Sequence, residues 1–169
     1  MILPSGRFEM KNRFLSNDGQ SLVEFALILV LLLAVVFGII EFAMISYNKA
    51  MITHASREAA RAGVMFRVDP GTFAYSPMNG GGIRTVVNNY LQDKLVTFGT
   101  PFNVNTDVTP TWSVDGGTTW TSVLPTTHGN GEQLRVEIRF SYSYLLLPKL
   151  LTFGGNTLDL KARSIMRLE

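Results

Sequence analysis

Two acids bracket the most apolar part of this 169-residue chain. Glu24 and Glu41 stand at either end of Phe25–Ile40, sixteen residues without charge or proline. As a helix that run rises roughly 24 Å, short of the ~30 Å hydrocarbon core of a bilayer. A full crossing therefore draws one of the acids toward the apolar zone, where an ionised side chain costs about 2.5–3.5 kcal/mol on the gentlest scale. An anchor selected only for apolarity has no use for that cost. Glu24 is either a carboxylate resting among headgroups or one with a function of its own. Other chemistries are poorly supplied. The two histidines, His54 and His128, are remote from one another and have no acidic cluster at ligand spacing, so no metal site is implied. No Ser/His/Asp set has plausible support. The absence of cysteine excludes disulfides and thiolate-bound metal. Asn79-Gly80-Gly81-Gly82 lacks the Gly-Lys-Ser/Thr and the preceding strand of a phosphate loop, and reads as a flexible connector. No enzyme activity and no cofactor is expected.

A small residue precedes the acid. Gly19 lies five positions before Glu24, and the order Gly-x-x-x-x-Glu-Phe opens directly into the apolar helix. A cleavable secretory signal would instead place an A-x-A pattern after the run, where the chain has Glu41-Phe42-Ala43-Met44. The segment resembles the processing site of a type IV prepilin, and more narrowly the TadE-like pseudopilins of tight-adherence (Flp) pili. The resemblance implies a leader, residues 1–19, removed by a membrane-embedded prepilin peptidase that cuts after Gly19. Gln20 then becomes the mature N-terminus, N-methylated in that family, and Glu24 and Phe25 serve assembly. It also implies an inner-membrane protein with a single span, its N-terminus cytoplasmic and its C-terminal domain outside. The partners implied are the peptidase, other pilin or pseudopilin subunits met through the N-terminal helix, and the inner membrane before assembly. Charge alone does not orient the span, because Arg7, Lys11 and Arg13 on one side are nearly balanced by Lys49, Arg57 and Arg61 on the other.

A second motif lies in the last third. Ser113-x-Asp115-x-Gly117-x-Thr119-Trp120 resembles the Asp-box of sialidases and related propellers, where the aspartate bonds turn amides and the tryptophan packs beneath. One copy makes no propeller, so Asp115, Gly117 and Trp120 are read as a structural turn. They also supply the alternative function, a membrane-anchored carbohydrate- or surface-binding module using Trp112 and Trp120.

These residues need elements to hold them. Met44, Tyr47, Met51, Ala55, Ala59, Ala62 and Phe66 recur at helical spacing, and Asp69-Pro70-Gly71 is a firm stop. One helix is therefore expected over 20–66, with 22–45 membrane-embedded and 46–66 beneath a soluble domain. Its small residues admit a sheet closely. Ile83, Val87, Leu91 and their neighbours predict a second amphipathic helix running to about Val96. The period then becomes two. A strand is expected over Phe102–Val108, a hairpin across Asp115-Gly116-Gly117, and a long antiparallel pair, Leu134–Tyr144 with Leu158–Leu168. The pair's outer faces mix arginines and lysine with Glu137 and Asp159, as a solvated face does. The connector 145–153 is too apolar for an ordinary loop, and is either buried against the core or an exposed contact for membrane or a neighbouring subunit. The fold class is α+β, a long pilin-type helix packed on a small antiparallel sheet domain (67–169) with a second short helix. A net charge of +2 offers nothing to nucleic acid. Mean hydropathy of +0.18 owes much to the one apolar helix.

Overall fold

The computed structural model describes residues 17–65, 67–68, 75–125, 131–145 and 156–168. The leader's basic residues, Phe66, His128 and positions 146–153 of the apolar connector lie outside the described residues. Helix α1 spans Asn17–Val64, followed by a two-residue ladder of β1 (Arg67–Val68) with β2 (Tyr75–Ser76). Then come α2 (Gly80–Leu91), the single turn α3 (Val104–Asp107), β3 (Val108–Ser113), β4 (Gln133–Ser143) and β5 (Thr157–Arg167). The chain divides into two compact units, one ending at Phe37 and one beginning at Gly38. In the first, every side chain from Gly19 to Phe37 is exposed.

The second unit is an α+β layer. Strands β3-β4-β5 form an antiparallel sheet in that order, with Val108 opposite Ile138, Leu134 opposite Met166 and Phe140 opposite Leu160. Alternation sends Leu134, Val136, Ile138, Phe140 and Tyr142 of β4 to one face, where all are buried. The C-terminal half of α1 covers that face with Ile52, Ala55, Ala59 and Ala60. Backbone approach is close. A Cβ at Gly63 would overlap Leu134 Cδ2 and lie 3.2 Å from Ile83. The opposite face carries Glu137 between Arg139 (2.8 Å) and Arg163 (3.0 Å). Partial burial works against its charge, but the two guanidinium groups outweigh it and hold the carboxyl below the usual range.

Several expectations are corrected. The stripe on α1 passes through Glu41, Asn48, Ile52, Ala55, Ser56 and Ala59, and Tyr47 lies off it, 45% exposed. Packing under the sheet thus begins at Glu41, five residues before the 46–66 expected of the soluble half. Asn48 lies on this buried face despite its polarity. It is buried because its side-chain amide pairs like a strand with Val96, donating to Val96 O at 2.8 Å and accepting from Val96 N–H at 2.9 Å. The glycine run is not a connector. Asn79 caps α2 by accepting from Gly82 N–H at 2.8 Å, and Gly80–Gly82 form its first turn. That helix stops at Leu91 rather than near Val96, with Asp93 in the left-handed region (φ 60°). Residues 102–107 are not a strand. Asp107 accepts from Asn103 N–H at 2.8 Å and Asn103 Oδ1 from Asn105 N–H at 3.0 Å, so side-chain caps win over alternation.

Candidate functional site

Gly19, Gln20, Glu24 and Phe25 lie in the first turns of α1. The Gln20 side chain donates from Nε2 to Glu24 Oε1 at 3.0 Å across one helical turn. Phe25 is 63% exposed. Gly19 has no heavy atom within 4 Å of the place a Cβ would take, as is also true of Gly38. Alanine in a helix interior is more favourable than glycine by about 1 kcal/mol, so the packing of this chain gives no reason for glycine at position 19. From Gly19 onward α1 is long and apolar enough to cross a membrane, its most apolar window having mean hydropathy 3.0 and none of it buried.

Residues 19–61 match the family model described as TadE-like protein. Over this segment the chain is similar to TadE-like proteins. The match opens on Gly19 and closes within the packed half of α1, leaving the sheet domain outside it. No curated protein and no solved structure matches the chain. Beside that similarity, the described residues include one helix long and apolar enough to cross a membrane.

The matched segment also contains a buried polar contact of the second unit. Glu41 is fully buried. Its Oε1 accepts from the Tyr142 hydroxyl at 2.6 Å and from Leu145 N–H at 3.3 Å. Burial first, and the neighbouring carboxylate second, keep the Tyr142 hydroxyl protonated far above its ordinary range. The sequence holds a signal for its place on the packed face: Glu41 and Asn48 are seven residues, two helical turns, apart and share the face that Ile52 and Ala55 continue.

The 113–120 turn is built from its own polar atoms. Asp115 Oδ1 accepts from Ser113 Oγ at 2.6 Å and Thr118 N–H at 3.0 Å, and Oδ2 accepts from Thr119 N–H at 2.9 Å and the Thr119 hydroxyl at 2.5 Å. The Ser113 hydroxyl leads these bonds in holding the carboxyl far below the usual range. Gly116 (φ 72°) and Gly117 (φ 99°) adopt the left-handed backbone the turn demands. Trp120 Nε1 donates to Gly117 O at 3.0 Å, and Arg135 stacks 4.2 Å over its ring. Trp112 is 1% exposed and bridges Thr121 through the backbone. With one ring buried and the other covered by a guanidinium, the pair forms no open aromatic platform for a sugar.

Among the described residues no group of three or more His, Asp or Glu could hold a metal ion. A cleft of about 500 Å³ is lined by Asn88, Phe102, Asn103 and Asp107, and the polar atoms of Asn103 and Asp107 serve the α3 caps.

Proposed function

We propose that this chain is a pilin-like, non-enzymatic subunit. In this reading a prepilin peptidase cuts it after Gly19. It sits in the inner membrane with the sheet domain outside, and it joins a tight-adherence type IV pilus or related filament through its N-terminal helix. The observation that carries the reading is the TadE-like match beginning at Gly19, at the head of an exposed apolar helix. Two further facts support it. The fold has no packing use for glycine at position 19, and the helix from Gly19 to Phe37 buries no side chain within the chain itself. After cleavage Gln20 would carry a free amine one turn from Glu24. Between adjacent subunits the two charges would compensate each other in an apolar core, where either alone would be costly.

The test is the intact mass and N-terminal sequence of the protein from its native host. A mature chain starting at Gln20, with Gly19→Val retaining residues 1–19, is expected; a native chain starting at Met1 would refute the processing step. Glu24→Leu is expected to insert and be cleaved normally yet be depleted from sheared pili. Equal recovery of this variant and the wild type in the pilus fraction would leave Glu24 only the headgroup role.

A further inference from the structure

The apolar run Phe25–Ile40 is about 6 Å too short for the hydrocarbon core, so a span must recruit about four more residues from one end. Toward the N-terminus this brings in Glu24, which is exposed. Toward the C-terminus it brings in Glu41, whose carboxylate has already left solvent and is held by Tyr142 and Leu145. The cost of carrying a carboxylate into an apolar layer falls when its hydrogen bonds are met within the protein. The cheaper end is the one at Glu41, and from there to Lys49 the helix has no charged residue.

The surface of the second unit at that level suits the same layer. Phe42 is 70% exposed, Phe98 46% and Leu145 50%. Beside them an apolar groove of about 380 Å³ is lined by Ile39, Ile40, Ala43, Met44, Tyr47 and Val96, without a charge among them. The wall is fixed. Asn48 holds Val96 by its paired amide bonds, Glu41 holds Leu145 N–H, and Gly99 lies so close to Ser143 that a Cβ there would overlap it. Helix, loop and strand end are thus tied into one foot. Aromatic side chains at its edge match the composition of a membrane–water boundary.

We infer that this foot is a second membrane contact: Phe42, Tyr47, Phe98 and Leu145 enter the boundary layer of the bilayer, and the groove between α1 and Val96 accepts lipid acyl chain. The inference rests on the membrane-anchored reading above. It makes the folded domain, and not the helix alone, the outer end of the span.

The chain has no cysteine, so single-cysteine variants of the full chain can each carry an environment-sensitive fluorophore in phosphatidylethanolamine–phosphatidylglycerol vesicles. Labels go on F98C, L145C, L33C and V123C. Val123 is 70% exposed and lies beyond the opposite end of the sheet, where Ser113 pairs with Gln133. The labels at 98 and 145 are expected to lose at least half their emission to a nitroxide near the lipid headgroup and to resist iodide. The label at 123 should do the reverse. If the label at 33 is quenched by lipid while those at 98 and 145 match 123, the inference falls and the anchor stands. Labels at 98 and 145 shielded from both quenchers would mean that a second copy covers the foot, which also overturns it. A label at 33 outside lipid would remove the anchored reading and this inference together.

Discussion

The contact between Tyr142 and Glu41 offers the sharpest test of how α1 is held to the sheet. Tyr142→Phe keeps the ring, its burial and its edge-on packing against Tyr144 at 6.1 Å, and removes only the hydroxyl that donates at 2.6 Å to Glu41 Oε1. Hydrogen bonds to charged groups contribute about 1.5–3 kcal/mol. Glu41 is fully buried, so water cannot easily replace the lost donor, and the upper half of that range is expected. For a unit of this size each kcal/mol corresponds to roughly 3–5 °C in Tm. The variant should therefore melt roughly 7–15 °C below the wild type, read by near-UV circular dichroism of the full chain in detergent. Tyr144→Phe is the control. Tyr144 is only half-buried, and its change should stay within about 0.5 kcal/mol. If Tyr142→Phe melts within a degree or two of wild type, the 41–142 contact does not hold the helix and the account of the packed half is wrong.

Three further outcomes follow from the same packing. Gly63→Val should destabilise by about 1–3 kcal/mol through overpacking, because its Cβ would overlap Leu134; urea unfolding midpoints measure it. Asn48→Ala strands the amide and carbonyl of Val96, and should raise hydrogen exchange at Val96 and its neighbours at least tenfold while the β4–β5 pairs stay protected. Asp115→Asn should lower Tm at pH 7, since one amide oxygen cannot accept every bond the carboxylate takes. The folded pKa of Asp115 is depressed, so its contribution is present above the unfolded value of about 3.9 and is lost as pH falls toward the folded one. The Tm gap should thus be constant from pH 7 to 5 and narrow at pH 3, and a gap independent of pH would refute the carboxylate's role.

The long elements are legible in the sequence because each repeats one period over many residues. Leu134 to Tyr142 alternates without a break, and the helix runs from the apolar segment through Ala59 and Ala60 with no glycine or proline strong enough to stop it. What misleads is polarity read as exposure. Asn48 and Glu41 sit on the buried face because a distant backbone or hydroxyl satisfies them, and nothing near them in sequence announces Val96 or Tyr142. Local caps mislead in the same way. The alternation at Phe102–Val108 and the glycines at 80–82 each suggest one structure, while Asn103, Asp107 and Asn79 supply side-chain acceptors that favour another. The 113–120 turn is easier to read, because its aspartate, serine and glycines act on atoms within four residues of themselves.

The two acids that bracket the apolar run end in opposite circumstances. Glu41 is resolved inside the chain, buried and bonded by Tyr142 and Leu145. Glu24 lies about 25 Å earlier along the helix, exposed, with the flexible side chain of Gln20 as its neighbour. A fold that needed only an anchor would gain by replacing both with leucine. It retains Glu41 at no exposed cost because that carboxylate ties the helix to the end of β4. Among the described residues no comparable long-range contact holds Glu24; the proposed subunit-to-subunit pairing with the Gln20 amine would give it a partner outside this chain. The matched segment, residues 19–61, contains both acids, and the sheet beyond it presents Tyr142 to the second of them.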